Sequence, residues 1–472
     1  MPGLPPAPES TRRPRPKSSA VTDRPAAERP DLRPPEAVVH IARKLEDAGF
    51  STWAVGGAVR DALAGHGEGK DWDLATAARP GDVQRLFRRT VPVGLAHGTV
   101  GVLGADRRLV EVTTFRRDVE TDGRHARVSF SDTVEEDLQR RDLTINAIAW
   151  HPRTHEVRDP HGGLSDLRAG VIRTVGDARE RFREDRLRVL RALRFAGRFG
   201  FRIDPDTWEA ARQAAPELPH LSAERVREEL LKVLKEVDRP SDSLRLYERC
   251  GALASLYPEL QACAGVSDSD EDVWTHLLRS ADAAPPSRIP LRLAALLHDV
   301  GKPAARAEDG GFPGHAAAGG ALVMGLMTRL KFSNAERDFT THLVAQHEDL
   351  PSHDAPAPEV RRWLRLVGRA YVHDLLRLEI YNARGHASVD EERVRNAEAL
   401  RRRADSLMRS GAALEIGDLA IGGAELRQLG VAAGPRMGEL LRGLLERVTD
   451  DPSLNNAEAL TEIVRGELEN GG

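Results

Sequence analysis

The strand-like runs of this 472-residue chain crowd between Ser51 and Phe115, and almost everything after about residue 165 is helical by period and propensity. An amphipathic stretch, "AVVHIARKLEDAGF", precedes the apolar run "STWAVGG", and "KDWDLAT", "HGTVGVL" and "RLVEVTTF" follow it. The later helical pattern is broken at "RIDPD", "PELPH", "DRPSD", "APPSRIP" and "PSHDAPAP". This asymmetry predicts an α+β chain, with a small mixed-sheet head followed by a long helical body. The length calls for two to four domains. Composition agrees, with 40% hydrophobic, 30% charged and only 4% aromatic residues. No apolar run approaches the roughly 20 residues that span a bilayer, and the N-terminus carries no signal-peptide core, so no membrane partner and a cytoplasmic location are expected. Cys250 and Cys263 make neither a disulfide framework nor a thiolate zinc site and read as reduced core thiols. Residues 1–35, rich in Pro and Arg and poor in large apolar groups, read as a disordered tail. The net charge of −4 does not point to nucleic acid, but arginine clusters between Arg179 and Arg202, which allows a basic face.

The stretch "WAVGGAVRDALAGHGEGKDWDLAT" carries the chemistry. Gly56 and Gly57, at the end of a strand, expose backbone N–H groups that a phosphate can approach closely, and Arg60 adds a cation. In a strand, residues two apart share a face, so Asp71 and Asp73 converge. Two like charges at one point are costly without a cation between them, and hard oxygen ligands suit Mg²⁺. Glu111 adds a third acid to a strand whose Leu109, Val110 and Val112 are apolar. Three acids on adjacent strands fit a metal-assisted transfer in which one ion activates a hydroxyl and another holds a leaving pyrophosphate.

G-G-x-V-R-D followed by D-x-D resembles the nucleotidyltransferase core of the bacterial and eukaryotic CCA-adding enzymes and the related bacterial poly(A) polymerases. Further matches come in the family's order. "RRDLTINA" resembles its R-R-D-x-T-x-N-A motif, "DPHGGLSDL" its D-P-x-G-G-x-x-D-L joint, "EDRLRVLRALRFA" its E-D-x-x-R-x-x-R-A-x-R-F-A motif, and "LSAERVREEL" its S-x-E-R-x-x-x-E-L motif. The resemblance implies a head over residues 36–165, a neck for base recognition and RNA binding over 166–238, an HD-like domain over 239–390 and a tRNA-binding tail over 391–472. It implies catalytic Asp71, Asp73 and Glu111, with Mg²⁺ on the two aspartates, and nucleotide binding by Gly56, Gly57, Arg60, Arg141, Asp142, Asn146, Asp185, Arg188 and Arg191.

Asp142 suits a ribose 2′-hydroxyl while Arg141 meets phosphate, although an ion pair starting a helix would use the same residues. Asp185 and Arg188, three apart, form either a surface salt bridge or a pair that imitates a base edge; the family uses these positions to select CTP and then ATP. Residues 116–136, with Gly123, occupy the place of the family's flexible loop.

His276, His298 and Asp299 offer imidazoles and a carboxylate of the kind a divalent transition metal takes. "LAALLHDVGKP" resembles the HD phosphohydrolase superfamily, which would add His315 and His342, but Asn382, near Glu379, stands where that superfamily's closing Asp is expected. The implied substrates and partners are CTP, ATP and the acceptor end and elbow of tRNA. Rival readings are a poly(A) polymerase or a partial CC- or A-adding enzyme, a phosphohydrolase centred on the His-Asp region, and a noncatalytic RNA-binding protein.

Overall fold

The computed structural model describes residues 32–65, 71–121, 126–268 and 271–470. Residues 1–31 of the expected tail, and Gly123, lie outside the described residues. Leu32 is described and is buried in the head's core. The chain gathers into two compact units: residues 1–188 with 201–210, and residues 189–200 with 211–472.

The first unit is built on a seven-stranded sheet. Its strands are β1 (Thr52–Val55), β2 (Asp73–Thr76), β3 (Thr90–Gly94), β4 (Thr99–Leu103), β5 (Leu109–Thr114) and, after a separate hairpin of β6 (Arg116–Thr121) and β7 (Ala126–Phe130), β8 (Ala149–Trp150) and β9 (Val157–Arg158). The order across the sheet is β3-β4-β5-β2-β1-β8-β9. All neighbours are antiparallel except β2 and β5, so the sheet is mixed, as its sequence pattern predicts.

Period-two alternation gives the sheet its two faces. Ala54, Leu74, Val100, Val102, Val110 and Val112 join Ile41 and Leu45 of the helix Glu36–Asp47 in one core. Trp53, Val55, Ala75 and Phe115 pack on the other face with Val134 and Leu138 of the helix Val134–Gln139. Burying an apolar side chain of this size stabilises by roughly 1.5–3 kcal/mol, so the two cores fix the register between them.

Residues 116–121 and 126–130 pair as an antiparallel hairpin, with a register shift between Asp118 and Glu120, within the segment expected to be a flexible loop. Arg116 pairs with Phe130 and Arg117 with Ser129, and the Arg117 Nε donates to Ser129 Oγ at 2.9 Å. The sequence signal for this ribbon is the short alternation Ala126, Val128, Phe130.

The second unit is helical. One apolar core joins Leu291, Ala294, Leu343, Val360, Leu364, Leu375, Leu376 and Leu400, and another joins Leu419, Leu426, Leu444, Val448, Leu460 and Val464. A buried ion pair links two motifs far apart in sequence: Arg194 Nε donates to Glu229 Oε1 at 2.6 Å, with side chains only 3% and 1% exposed. No helix among the described residues is long and apolar enough to cross a membrane.

Candidate active site

In the head, β1 runs into Gly56, whose backbone is at φ 82°, ψ −147°. Only glycine adopts that conformation without strain. The turn brings the chain against two functional groups, because a Cβ on Gly56 would lie 3.5 Å from both Arg141 Nη1 and Asp73 Oδ2.

Asp73 pairs with Val55 on one side and Glu111 on the other. Directly opposed residues point to the same face, so the two carboxylates stand side by side. Trp72 turns into the core at 2% exposure while Asp71 and Asp73 stay outside it. Asp73 and Glu111 thus share a face as their strand positions predict, whereas β2 begins only at Asp73, so Asp71 stands just outside the strand that was expected to hold both aspartates. Burial, together with the charges of Glu111 and Asp71, pushes the Asp73 carboxyl up to about 6, and Arg141 opposes this. The three acids do not converge as tightly as the histidine cluster described below, whose ligand atoms lie within 4.8 Å of one another.

Arg60 lies beside the glycine pair, with its Nη2 3.5 Å from where a Cβ on Gly57 would stand. Its side chain is only 3% exposed, paired with Asp61 at 2.7 Å and bonded to Asn146 Oδ1. A guanidinium with carboxylate and amide partners beside it can stay charged when buried. Arg141 is the cation at Asp73. Its Nη2 donates to the buried carboxylate of Asp137 at 3.1 Å and its Nη1 to the Asn146 carbonyl at 3.3 Å. Asn146 also donates to Asp142 Oδ1 at 3.0 Å, so the R-R-D-x-T-x-N-A residues form one network with Arg60.

The joint that follows holds this network. Asp159 caps the helix Gly163–Ala169 through the N–H groups of Gly163 and Leu164 at 2.7 and 2.9 Å. A Cβ on Gly163 would lie 2.1 Å from the Thr144 carbonyl oxygen, so glycine is required. Asp166 accepts from Thr144 Oγ1 at 2.7 Å and from Arg173.

Asp185 and Arg188 stand at a break between two helices. The helix Ala178–Glu184 ends before Asp185, whose carboxylate accepts from the Leu187 N–H at 3.0 Å and so starts the helix Leu187–Phe199. Arg188 pairs with Glu184 at 2.6 Å, and its Nη2 donates to the Arg140 carbonyl at 3.1 Å. That bond anchors Arg188 to the R-R-D segment. Arg191 belongs to the second unit, with its guanidinium 5.5 Å from the centroid of the Phe195 ring.

The second unit contains a histidine cluster. Two glycine contacts assemble it: a Cβ on Gly301 would lie 2.1 Å from the His315 carbonyl, and one on Gly385 would lie 2.1 Å from Ser280 Oγ. The first lets the His298–Asp299 turn meet the helix His315–Arg329, and the second lets the helix Val372–Gly385 meet the helix Val273–Ala283. His298, His315 and His347 each place Nδ1 on the carbonyl three residues back, at 3.0, 2.9 and 2.7 Å. With Nδ1 held on those carbonyls, all three Nε2 atoms turn inward and lie 3.1–3.3 Å from the Asp299 carboxylate. His276 Nε2 stands 3.2 Å from His298 Nε2 and 3.0 Å from Asn382 Oδ1. Burial and the neighbouring His298 push His276 down to about 3, so it is neutral. Lys302 Nζ pairs with Asp299 at 2.6 Å.

The predicted His276, His298 and Asp299 thus come together with His315. His342 does not, since its Nε2 meets the Val367 carbonyl at 2.7 Å; His347, in the same segment, takes the place. A cleft of about 380 Å³ opens on the cluster, also lined by Asp268, Glu379, His386 and Arg393.

Residues 52–173 match the family described as "Poly A polymerase head domain", and residues 200–263 match "Probable RNA and SrmB- binding site of polymerase A". A CCA-adding enzyme of Leuconostoc mesenteroides is 48% identical over 249 residues, covering 50% of this chain and 61% of that protein. One of Geobacillus stearothermophilus is 45% identical over 206 residues, covering 43% and 50%. The sequence matches thus span between half and two thirds of these curated relatives' length. In the solved structures, the Bacillus stearothermophilus CCA-adding enzyme in complex with CTP is 32% identical, with a TM-score of 0.68 over 93% of this chain and 100% of that one. The acids, the joint and the neck motifs lie within a likeness that runs the length of that structure, and the chain belongs to the CCA-adding enzyme family.

Proposed function

We propose that this protein adds C, C and A, without a template, to the 3′ end of tRNA, using CTP and ATP and releasing pyrophosphate. The observation that carries the reading is the row Val55–Asp73–Glu111, with Gly56 and Arg141 at the Asp73 end.

The acid face fits Mg²⁺. Asp73 is raised to about 6 by burial and two like charges, a condition that a bound cation relieves, and the available donors are hard oxygens. Asp71 and Asp73 would hold the ion. When bound, Mg²⁺ supplies charge neutralisation on the phosphates and a lower pKa for the attacking hydroxyl. Gly56 and Gly57 leave room for the triphosphate, Arg141 offers it a cation, and Arg60 fixes Asn146 and through it Asp142, the candidate ribose contact. Glu111 takes up the proton as the primer 3′-oxygen attacks the α-phosphorus and the bond to the β-phosphate breaks. Arg188, anchored by Glu184 and the Arg140 carbonyl, and Asp185 read the base, with Arg191 one turn on. Positioning and charge stabilisation supply most of the rate.

The finer division of the chain belongs to the same proposal: a head over 36–165, a neck over 166–238, an HD-like domain over 239–390 and a tail over 391–472 that meets the tRNA elbow through phosphates, a salt-sensitive mode. Asp71→Ala and Asp73→Ala test the acid face. Each abolishes incorporation and leaves tRNA affinity within about twofold; retained incorporation overturns the metal assignment.

A second reading is favoured by the three Nε2 atoms turned on Asp299. Imidazoles pinned through Nδ1 to carbonyls are oriented as metal ligands are, and a set of histidines with one carboxylate suits Zn²⁺, Ni²⁺ or Co²⁺ better than Mg²⁺. His276, His298, His315, His347 and Asp299 would hold a second divalent ion, with neutral Asn382 reaching the cluster where a carboxylate is expected.

A further inference from the structure

We propose that the exposed apolar strip formed by Val91, Val93 and Leu109 is the floor on which the terminal nucleoside of the RNA acceptor lies during transfer. This rests on the nucleotidyl-transfer reading and adds to it the place of the second substrate.

The register puts the strip next to the acids. Val91 is opposite Gly101, Gly101 opposite Glu111, and Glu111 opposite Asp73, so one row crosses β3, β4, β5 and β2. Leu109, two residues before Glu111, shares its face. The other large apolar side chains of this sheet are buried or, at Leu103 and Val157, half-buried, yet Val91, Val93 and Leu109 are 39%, 44% and 45% exposed. They also close over the glycine between them: a Cβ on Gly101 would lie 2.8 Å from both Leu109 Cδ1 and Val93 Cγ2. The result is a smooth hydrocarbon surface continuous with the catalytic row.

Reaction geometry selects the occupant. The attacking and leaving oxygens stand in line on opposite sides of the phosphorus. Gly56 and Arg141, the candidate triphosphate contacts, flank Asp73 from the β1 side. The attacking 3′-oxygen therefore arrives from the other side, across Glu111, and its nucleoside extends over β4 and β3. A floor of methyl groups offers no hydrogen bonds to base edges and accepts any base or ribose by packing. That indifference suits an acceptor whose last base changes with every addition. Pro92, in the edge strand β3, has no N–H to donate and so disfavours a protein strand added at this edge.

The test is steady-state kinetics of CMP incorporation by the full chain with varied tRNA transcript and varied CTP. Leu109→Ser raises KM for the transcript about tenfold, leaves KM for CTP and the melting temperature unchanged, and is rescued by Leu109→Met. An unchanged transcript KM, or equal shifts in both KM values, overturns the proposal. If Leu109→Ser changes only the oligomeric state, the strip is a self-association surface and the proposal is likewise overturned. A wild-type protein that incorporates no nucleotide removes the transfer reading itself, an outcome distinct from a selective failure of the variant.

Discussion

Asp73 is held in an environment that works against its ionised form: it is largely buried, Glu111 lies across the strand and Asp71 two residues away. A carboxyl whose pKa rises on folding favours the folded state when protonated. That contribution is fully present below the unfolded value of 3.8 and is lost as pH rises through about 6. In the metal-free protein, Asp73→Asn is therefore more stable than wild type at pH 7.5, by on the order of 2 kcal/mol, with the difference shrinking toward pH 4. Urea melts in chelator at the two pH values check this, and a difference that does not depend on pH contradicts it. Arg188 supports a second prediction. Because Glu184 and the Arg140 carbonyl anchor it, Arg188→Ala lowers discrimination of CTP over UTP by about tenfold or more while tRNA affinity stays within about twofold; unchanged discrimination removes its base-reading role. The pairing of Asp73 with Glu111 was legible because alternation along a strand needs no tertiary information. What sequence does not show is the enclosure of Arg60 by Asp61 and Asn146, or the helix break at Asp185, which neither glycine nor proline marks.

The histidine cluster shows how elements decide what single residues cannot. His342 and His347 are five apart, about 140° around a helix, so only one can face the cluster. The helix Asn334–Gln346 ends just before His347 and directs His342 to the Val367 carbonyl. Sequence spacing gives no phase for that helix, and the wrong histidine was favoured. The sheet was legible by contrast, since its alternating valines and leucines permit one register. The hairpin of β6 and β7 was not, because its apolar alternation is confined to Ala126, Val128 and Phe130 in an otherwise polar segment. If the cluster is a metal site, the purified protein takes up about one equivalent of Zn²⁺ or Ni²⁺ beyond what the Asp71→Ala, Asp73→Ala protein loses, and His298→Ala abolishes that uptake. Calorimetric titration and elemental analysis measure it. Equal uptake by His298→Ala excludes the site.

For the whole molecule, the sequence placed a sheet-bearing head before a helical body, and the likeness to the CTP-bound CCA-adding enzyme covers 93% of the chain. How many additions one chain performs is read directly from its products. The decisive measurement supplies the purified protein with Mg²⁺ and three tRNA transcripts, ending before CCA, after C and after CC, with CTP and ATP separately and together. The account predicts that all three are completed to a defined CCA end and stop there. Extension of only one transcript, or continued addition of A, contradicts it.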